Sequence, residues 1–317
     1  MDPVPQSLPK YHPAESYRWN YEHAPEPVSI PAPPVEGDWT FCGLKVPSPL
    51  GMPAGPLLNG RWVLYYASLE FDVLTYKTVR SGTRECYPLP NLVPVETGPL
   101  NGNEEQLPVS ASMTGSWAVS FGMPSMLPDT WRRDVEWTRT RLSDQKKLSV
   151  SVVGTVQDGW SITDLADDYA QCVRWAIDAG ADAVEMNFSC PNVVTCDGQL
   201  YQQPGDARLV AQAVRQAAGS KPVIVKIGHV TESETAALLL DALSGSVDAI
   251  AMTNSVASMV RASDGELLFE GQKRGICGAA TRRASVTQTR LFAGLVRERG
   301  DTLRLIGVGG AATADDV

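Results

Sequence analysis

The stretch Asp182-Ala183-Val184-Glu185-Met186-Asn187-Phe188-Ser189-Cys190-Pro191-Asn192 decides how the rest of the chain is read. Its first half, Ala183 to Met186, follows a predicted helix that stops at Gly180 and has the short, mostly apolar look of a buried parallel strand. Its second half, Asn187 to Asn192, is a polar loop carrying two amides, a hydroxyl and a thiol. At the C-terminal end of a strand in a parallel sheet, such a loop lies where these folds place their chemistry. Asparagine amides can read a ring that has both donors and acceptors, and a thiol can exchange a proton near neutral pH. The same residues also suit a plain turn, with Asn and Ser bonding local backbone and Cys packed inward.

Outward from this stretch, strand and helix patterns alternate. Phe41 to Val46 reads as a short strand of a hairpin that closes the bottom of a barrel. Phe71 to Thr78 reads as a strand ending in Lys77, and Pro128 to Leu142 as a helix with Asp129 as N-cap. Leu148 to Gly154 is a further strand, and Ser161 to Gly180 a helix whose apolar face includes Cys172, a core position. Asp206 to Ala218 reads as a helix and Lys221 to Lys226 as a strand that again ends in lysine. Thr231 and Glu234 have capping-box spacing for a helix through Leu243. Asp248 to Ser255 is the next strand, Ser285 to Arg299 the next helix, and Arg304 to Gly310 the last strand with its glycine pair. Residues 1–38 are rich in proline and aromatics, which predicts neither regular helix nor central strand. Tyr17, Trp19 and Tyr21 would pin this extension to the body.

The 317 residues include 27 basic and 36 acidic side chains, for a net charge of -9. No basic run suggests nucleic acid or anionic lipid as a partner. No apolar stretch reaches membrane-spanning length, and the N-terminus lacks the order of a signal peptide, so a cytoplasmic location is expected. The six cysteines form no C-x-x-C pair, which argues against a zinc or iron–sulfur site on this chain alone, and the three histidines stand far apart.

Asn187-Phe188-Ser189-Cys190-Pro191-Asn192 resembles the N-x-S-[CS]-P-N signature of the dihydroorotate dehydrogenase family, which includes the pyrimidine-reducing domain of dihydropyrimidine dehydrogenases. The resemblance runs collinearly over roughly residues 40 to 317. Ser48 to Gly60, with Ala54 and Gly55, is similar to the family's first barrel strand, where small residues let the backbone approach the flavin. Lys77-Thr78 and Lys226 match family positions that contact the flavin. Asn254-Ser255 resembles a pair that reads the substrate. Gly275 to Ala279, including Gly278, resembles the G-G-x-S-G loop that offers N–H groups to the flavin phosphate, with Cys277 as a departure; Gly309-Gly310 resembles the second phosphate-binding glycine pair. Two further positions depart from the family. Asn91 stands where an arginine is usual, and Val119 stands where a substrate-binding asparagine is usual. Valine has no donor or acceptor, so one hydrogen bond to a pyrimidine ring is missing, with Ser120 as the neighbour able to compensate.

The resemblance implies an FMN-binding (β/α)8 TIM barrel over residues 39–317, behind the 1–38 extension. Counting βα units gives seven strands, which predicts a C-terminally incomplete barrel lacking its last unit. It also implies oxidation of dihydroorotate to orotate: Cys190 as base, with Asn187, Asn192, Asn254 and Ser255 on the substrate. A second reading is a dihydropyrimidine dehydrogenase-like chain acting on uracil or thymine. There Cys196 would be the base and a partner electron-transfer subunit would be needed. Val119 and the segment Met252 to Gly265 lean that way. A third is a non-catalytic flavin-binding protein. A homodimer would be in keeping with the family.

Overall fold

A computed structural model describes residues 8–30, 33–113, 115–189, 199–313 and 316. The N-terminal segment carries a helix, α1 (Tyr17–Glu22). This corrects the expectation that prolines exclude helix here. Residues 14–24 contain no proline, and the Ser16 hydroxyl caps the turn by accepting from the Trp19 N–H at 3.1 Å. A hairpin follows, β1 (Trp39–Phe41) and β2 (Leu44–Val46). Then come β3 (Gly51–Met52), α2 (Gly60–Ser68) and β4 (Val73–Val79). Three short strands interrupt the alternation: β5 (Leu92–Pro94), β6 (Gln106–Pro108) and β7 (Ser116–Val119).

The chain resumes with α3 (Pro128–Arg139), β8 (Lys147–Val152), α4 (Ile162–Asp178) and β9 (Ala183–Asn187). It continues through α5 (Pro204–Ala218), β10 (Val223–Lys226), α6 (Ser233–Leu243) and β11 (Ala249–Met252). A second interruption, β12 (Val256–Arg261) and β13 (Arg274–Gly278), precedes α7 (Arg282–Arg299) and β14 (Arg304–Gly307).

Seven parallel strands form one sheet in the order β14-β11-β10-β9-β8-β4-β3, so each strand–helix–strand step moves to the neighbouring strand. This is the α/β barrel-type arrangement expected from the alternating pattern, with β3 and β14 at its edges. The two interruptions leave from the C-terminal ends of β4 and β11 and combine into a five-stranded sheet, β5-β7-β13-β12-β6. The expected glycine loop at Gly275 to Ala279 is therefore mostly strand, because its main chain pairs with both β7 and β12.

Alternation along the strands sorts the core into two layers. Outward residues such as Val150, Val184, Val225 and Ile250 pack against Tyr169, Val173, Val214 and Leu239 of the helices. Cys172 belongs to this layer, as expected, and burial pushes its thiol up. Inward residues at the strand starts, Ala183, Ile224, Ala249 and Ala251, pack with Phe41 and Cys42 from the hairpin tip. The hairpin thus stoppers the N-terminal end of the sheet with apolar atoms.

Two helix starts differ from expectation. Asp129 lies in the first turn of α3, but Leu127 is the N-cap and Pro128 takes the first helical position, where its missing N–H costs nothing. The Thr231–Glu234 capping box does not form; Glu232 occupies the N-cap of α6 without a side-chain bond. A capping box is present instead at Ser161 and Asp164 of α4. No helix among the described residues is long and apolar enough to cross a membrane.

Candidate active site

At the C-terminal ends of the parallel strands the inward layer changes from apolar to polar. Asn187 closes β9 and is buried, its amide donating to Thr78 Oγ1 on β4 at 3.2 Å. Thr78 shares a second hydrogen bond with Ser151 Oγ of β8 at 3.0 Å. The Asn187 side-chain oxygen, Oδ1, accepts from the Ser189 N–H at 3.3 Å, and the Asn254 side-chain amide donates to the Ser189 main-chain carbonyl. Three of the expected site residues are thereby connected, Thr78 with Asn187 directly and Asn254 with Asn187 through Ser189, and Ser255, buried, follows Asn254 in the chain. Cys190, Asn192 and Cys196 lie outside the described residues.

The two strand-end lysines reach the same rim by different routes. Lys77 is buried, and its main-chain N–H donates to Leu57 O at 3.0 Å, which seats the Ala54–Leu58 loop beside β4. Its ammonium lies 5.8 Å from the Phe121 ring centroid, within cation–π range. Lys226, at the end of β10, donates to Glu185 Oε1 of β9 at 2.9 Å. Both side chains are nearly sealed from solvent, at 5% and 7% exposure.

Three residues unremarked in the sequence hold this arrangement. Glu185 is the first; two positions before Asn187, it faces the same side of β9, and strand alternation alone would have flagged it. Gln288 is the second. From α7 its amide donates to Gly228 O at 2.8 Å and its carbonyl oxygen accepts from Thr253 Oγ1, so one side chain ties the ends of β10 and β11. Nothing local in the sequence signals it. Arg80 is the third, fully buried just past β4, donating to Gly154 O at 2.6 Å and Met123 O at 3.3 Å.

The departures also find physical accounts. Asn91, at the arginine position, donates to Tyr87 O, Pro88 O and Ser120 O and so knits its own loop. Val119 pairs with Gly275 and Leu92 in the five-stranded sheet. Ser120 already accepts from Arg274 Nε at 2.9 Å, which fixes the hydroxyl oxygen and leaves its O–H able to donate toward a ligand. Gly278 has φ +90°, and a Cβ there would lie 2.1 Å from Gly115 O, so packing against its own chain accounts for this glycine.

The residues present fit a flavin mononucleotide. No protein atom lies within 4 Å of a Cβ built on Gly55, so this backbone faces open space beside Lys77. Gly309 and Gly310 have φ +110° and +75°, and a Cβ on Gly310 would meet the Arg282 backbone at 2.6 Å. These glycines bring main chain close to the start of α7, next to a cavity of about 230 Å³ lined by Arg282, Ser285, Thr289 and Gly309. The hydroxyls of Ser189 and Thr289 are buried without a hydrogen-bond partner, as expected of atoms that a polar ligand or its bound water would satisfy.

Comparison with known proteins accords with this geometry. A family model described as dihydroorotate dehydrogenase matches residues 38–317. A dihydroorotate dehydrogenase of Dictyostelium discoideum is 33% identical over 290 residues, covering 85% of this chain and 77% of that one. The catalytic subunit of dihydroorotate dehydrogenase B (NAD(+)) from Maridesulfovibrio salexigens is 27% identical over 69% of this chain and 63% of its own. The crystal structure of DHODH from Eimeria tenella in complex with ferulenol has the same fold. Its TM-score is 0.67 at 18% identity, over 88% of this chain and 74% of that chain. A match across nearly all of the strands and helices that build the polar rim is more than a shared motif, and the chain belongs to the dihydroorotate dehydrogenase family.

Proposed function

We propose that this chain oxidises dihydroorotate to orotate, the CH–CH dehydrogenation of pyrimidine biosynthesis, with FMN as its cofactor. The observation that carries the reading is the buried polar layer at the strand ends, in which Asn187, Thr78, Ser151, Ser189 and Asn254 are bonded together between Lys77 and Lys226. Bound FMN would accept the hydride from ring C6. Cys190, as thiolate, takes the proton from C5, and the electron pair of that C–H bond becomes the new C5=C6 bond. Cys196 is the alternative base. Asn187, Asn192, Asn254 and Ser255 hold the ring's amide and carboxylate edges. Lys77 and Lys226 supply positive charge where the reduced ring is negative. Ala54 and Gly55 leave room for the ring, and Gly278, Gly309 and Gly310 present main chain to the phosphate.

Anaerobic mixing tests the reading. Purified yellow protein should bleach on addition of dihydroorotate, and Cys190→Ala should retain its colour but bleach about 100-fold or more slowly. Full bleaching rate in Cys190→Ala would remove Cys190 as base and turn attention to Cys196→Ala. The rate in the wild type should climb with pH toward the ordinary thiol pKa of about 8.5. Val119 supports one competing reading, a dihydropyrimidine of the uracil or thymine type, since valine cannot give the ring the hydrogen bond that an asparagine there would. Bleaching by dihydrouracil but not dihydroorotate would select it, together with a partner subunit to carry the electrons onward.

A further inference from the structure

We infer that Glu185 is a positioning residue that sets the reduction potential of the flavin through Lys226. The inference rests on the FMN reading above and concerns a residue to which that reading gives no role. Glu185 is the one charged side chain of an otherwise apolar strand core, Ala183-Val184-Glu185-Met186. Its alternation places it on the inward face with Asn187, across from Ser151 on β8 and Ile224 on β10. There it is buried, and its carboxylate binds the Lys226 ammonium at 2.9 Å.

A buried ion pair is costly to keep, and two hydrophobic residues in place of Glu185 and Lys226 would fill the same space at least as stably. Its presence therefore needs a reason other than packing. Lys226 ends β10 at the polar rim, where its charge favours the reduced, negatively charged ring. An ammonium held in low dielectric without a counter-charge would favour that state strongly. Glu185 stands level with Ile224, two residues deeper along the strands than Lys226, and its carboxylate offsets part of the ammonium's charge. The oxidised and reduced flavin then stay closer in free energy, as an enzyme must arrange if it is to pass electrons on as readily as it takes them. The carboxylate also fixes where the ammonium points, because the hydrogen bond leaves its other two N–H donors free to turn toward the rim.

The test is a reductive titration of the flavin-loaded protein against a reference dye, which reads potential without turnover. Glu185→Gln keeps the shape and removes the charge. It should shift the reduction equilibrium toward the reduced flavin by about tenfold or more, ~30 mV upward for a two-electron couple. Glu185→Asp, which retains the charge, should move it back toward the wild type. A Glu185→Gln potential equal to or below that of the wild type, at full flavin occupancy, would overturn the inference. If Glu185→Gln does not retain flavin, the charge-free pair Glu185→Leu with Lys226→Met is measured in its place. A fall of less than tenfold in the equilibrium supports partial cancellation of the two charges, and a larger fall overturns it. A wild-type protein that takes up no flavin would instead overturn the FMN reading, and this inference with it, which the stoichiometry of bound flavin reveals before any titration.

Discussion

Gln288 shows how much of the site depends on single side chains far away in sequence. Its two hydrogen bonds satisfy the Thr253 hydroxyl and the Gly228 carbonyl, both inside the fold. Gln288→Leu keeps the volume and leaves both groups unpaired, so we expect a loss of about 2–4 kcal/mol in denaturant unfolding, from ~1–3 per orphaned group. Asn254, next to Thr253, would lose its fixed orientation, and KM for the substrate should rise more than kcat falls. The strand-end residues Lys77, Asn187 and Lys226 were legible in the sequence because each follows a recognisable apolar run. Glu185 is legible in the same way, since its two-residue spacing from Asn187 puts it on the site face of the strand. The partners of Asn91 and Ser120 were not legible. Their hydrogen bonds go to carbonyls and a guanidinium brought close by a sheet that forms between distant segments.

Between elements, Asp134 of α3 is the junction. Its carboxylate accepts from the Gly60 N–H at the start of α2 at 2.7 Å and from the Tyr76 O–H of β4 at 2.6 Å. Burial first, and then the Asp134 carboxylate, push the Tyr76 phenol well above its usual pKa, so it remains a donor across the working pH range. Asp134→Ala orphans a buried hydroxyl and the N–H of buried Gly60, and should cost about 2–4 kcal/mol, read as a lowered Tm. Asp134→Asn, which keeps an acceptor, should cost less. The long parallel strands and the helices between them were legible because each is an apolar run or an amphipathic repeat bounded by glycine, proline or a cap. The five-stranded sheet was not. Its strands are three to six residues long, and one pairs a segment near residue 107 with another near residue 260. Such pairing leaves no periodic signal within either segment.

Across the whole molecule, the N-terminal segment acts as a strap. Tyr11, Tyr17 and Tyr21 pack with Trp62 and Tyr65 of α2, and Tyr11 and Tyr17 also reach the Phe121 ring, at 5.4 and 5.5 Å between centroids. Trp62 Nε1 donates to Asn20 O, and Tyr65 O–H to Pro9 O, so main chain as well as rings holds the strap down. Trp19, expected to join them, is instead partly exposed and stacks on His23. Tyr17→Ala should destabilise the protein by about 2–3 kcal/mol, below the ~3–5 of a fully buried ring. It should also speed protease cleavage within residues 8–30, before any change elsewhere. The sequence by itself determined the repeating strand–helix order, the polar loop after the central strand and the family, because these depend on local periodicity and on short motifs. Only the tertiary structure decided that Glu185 faces Lys226, that Gln288 joins two strand ends, and that two distant excursions make one sheet. Those contacts come from groups dozens of residues apart, whose approach is fixed by the packing of the whole barrel and by no pattern within either segment.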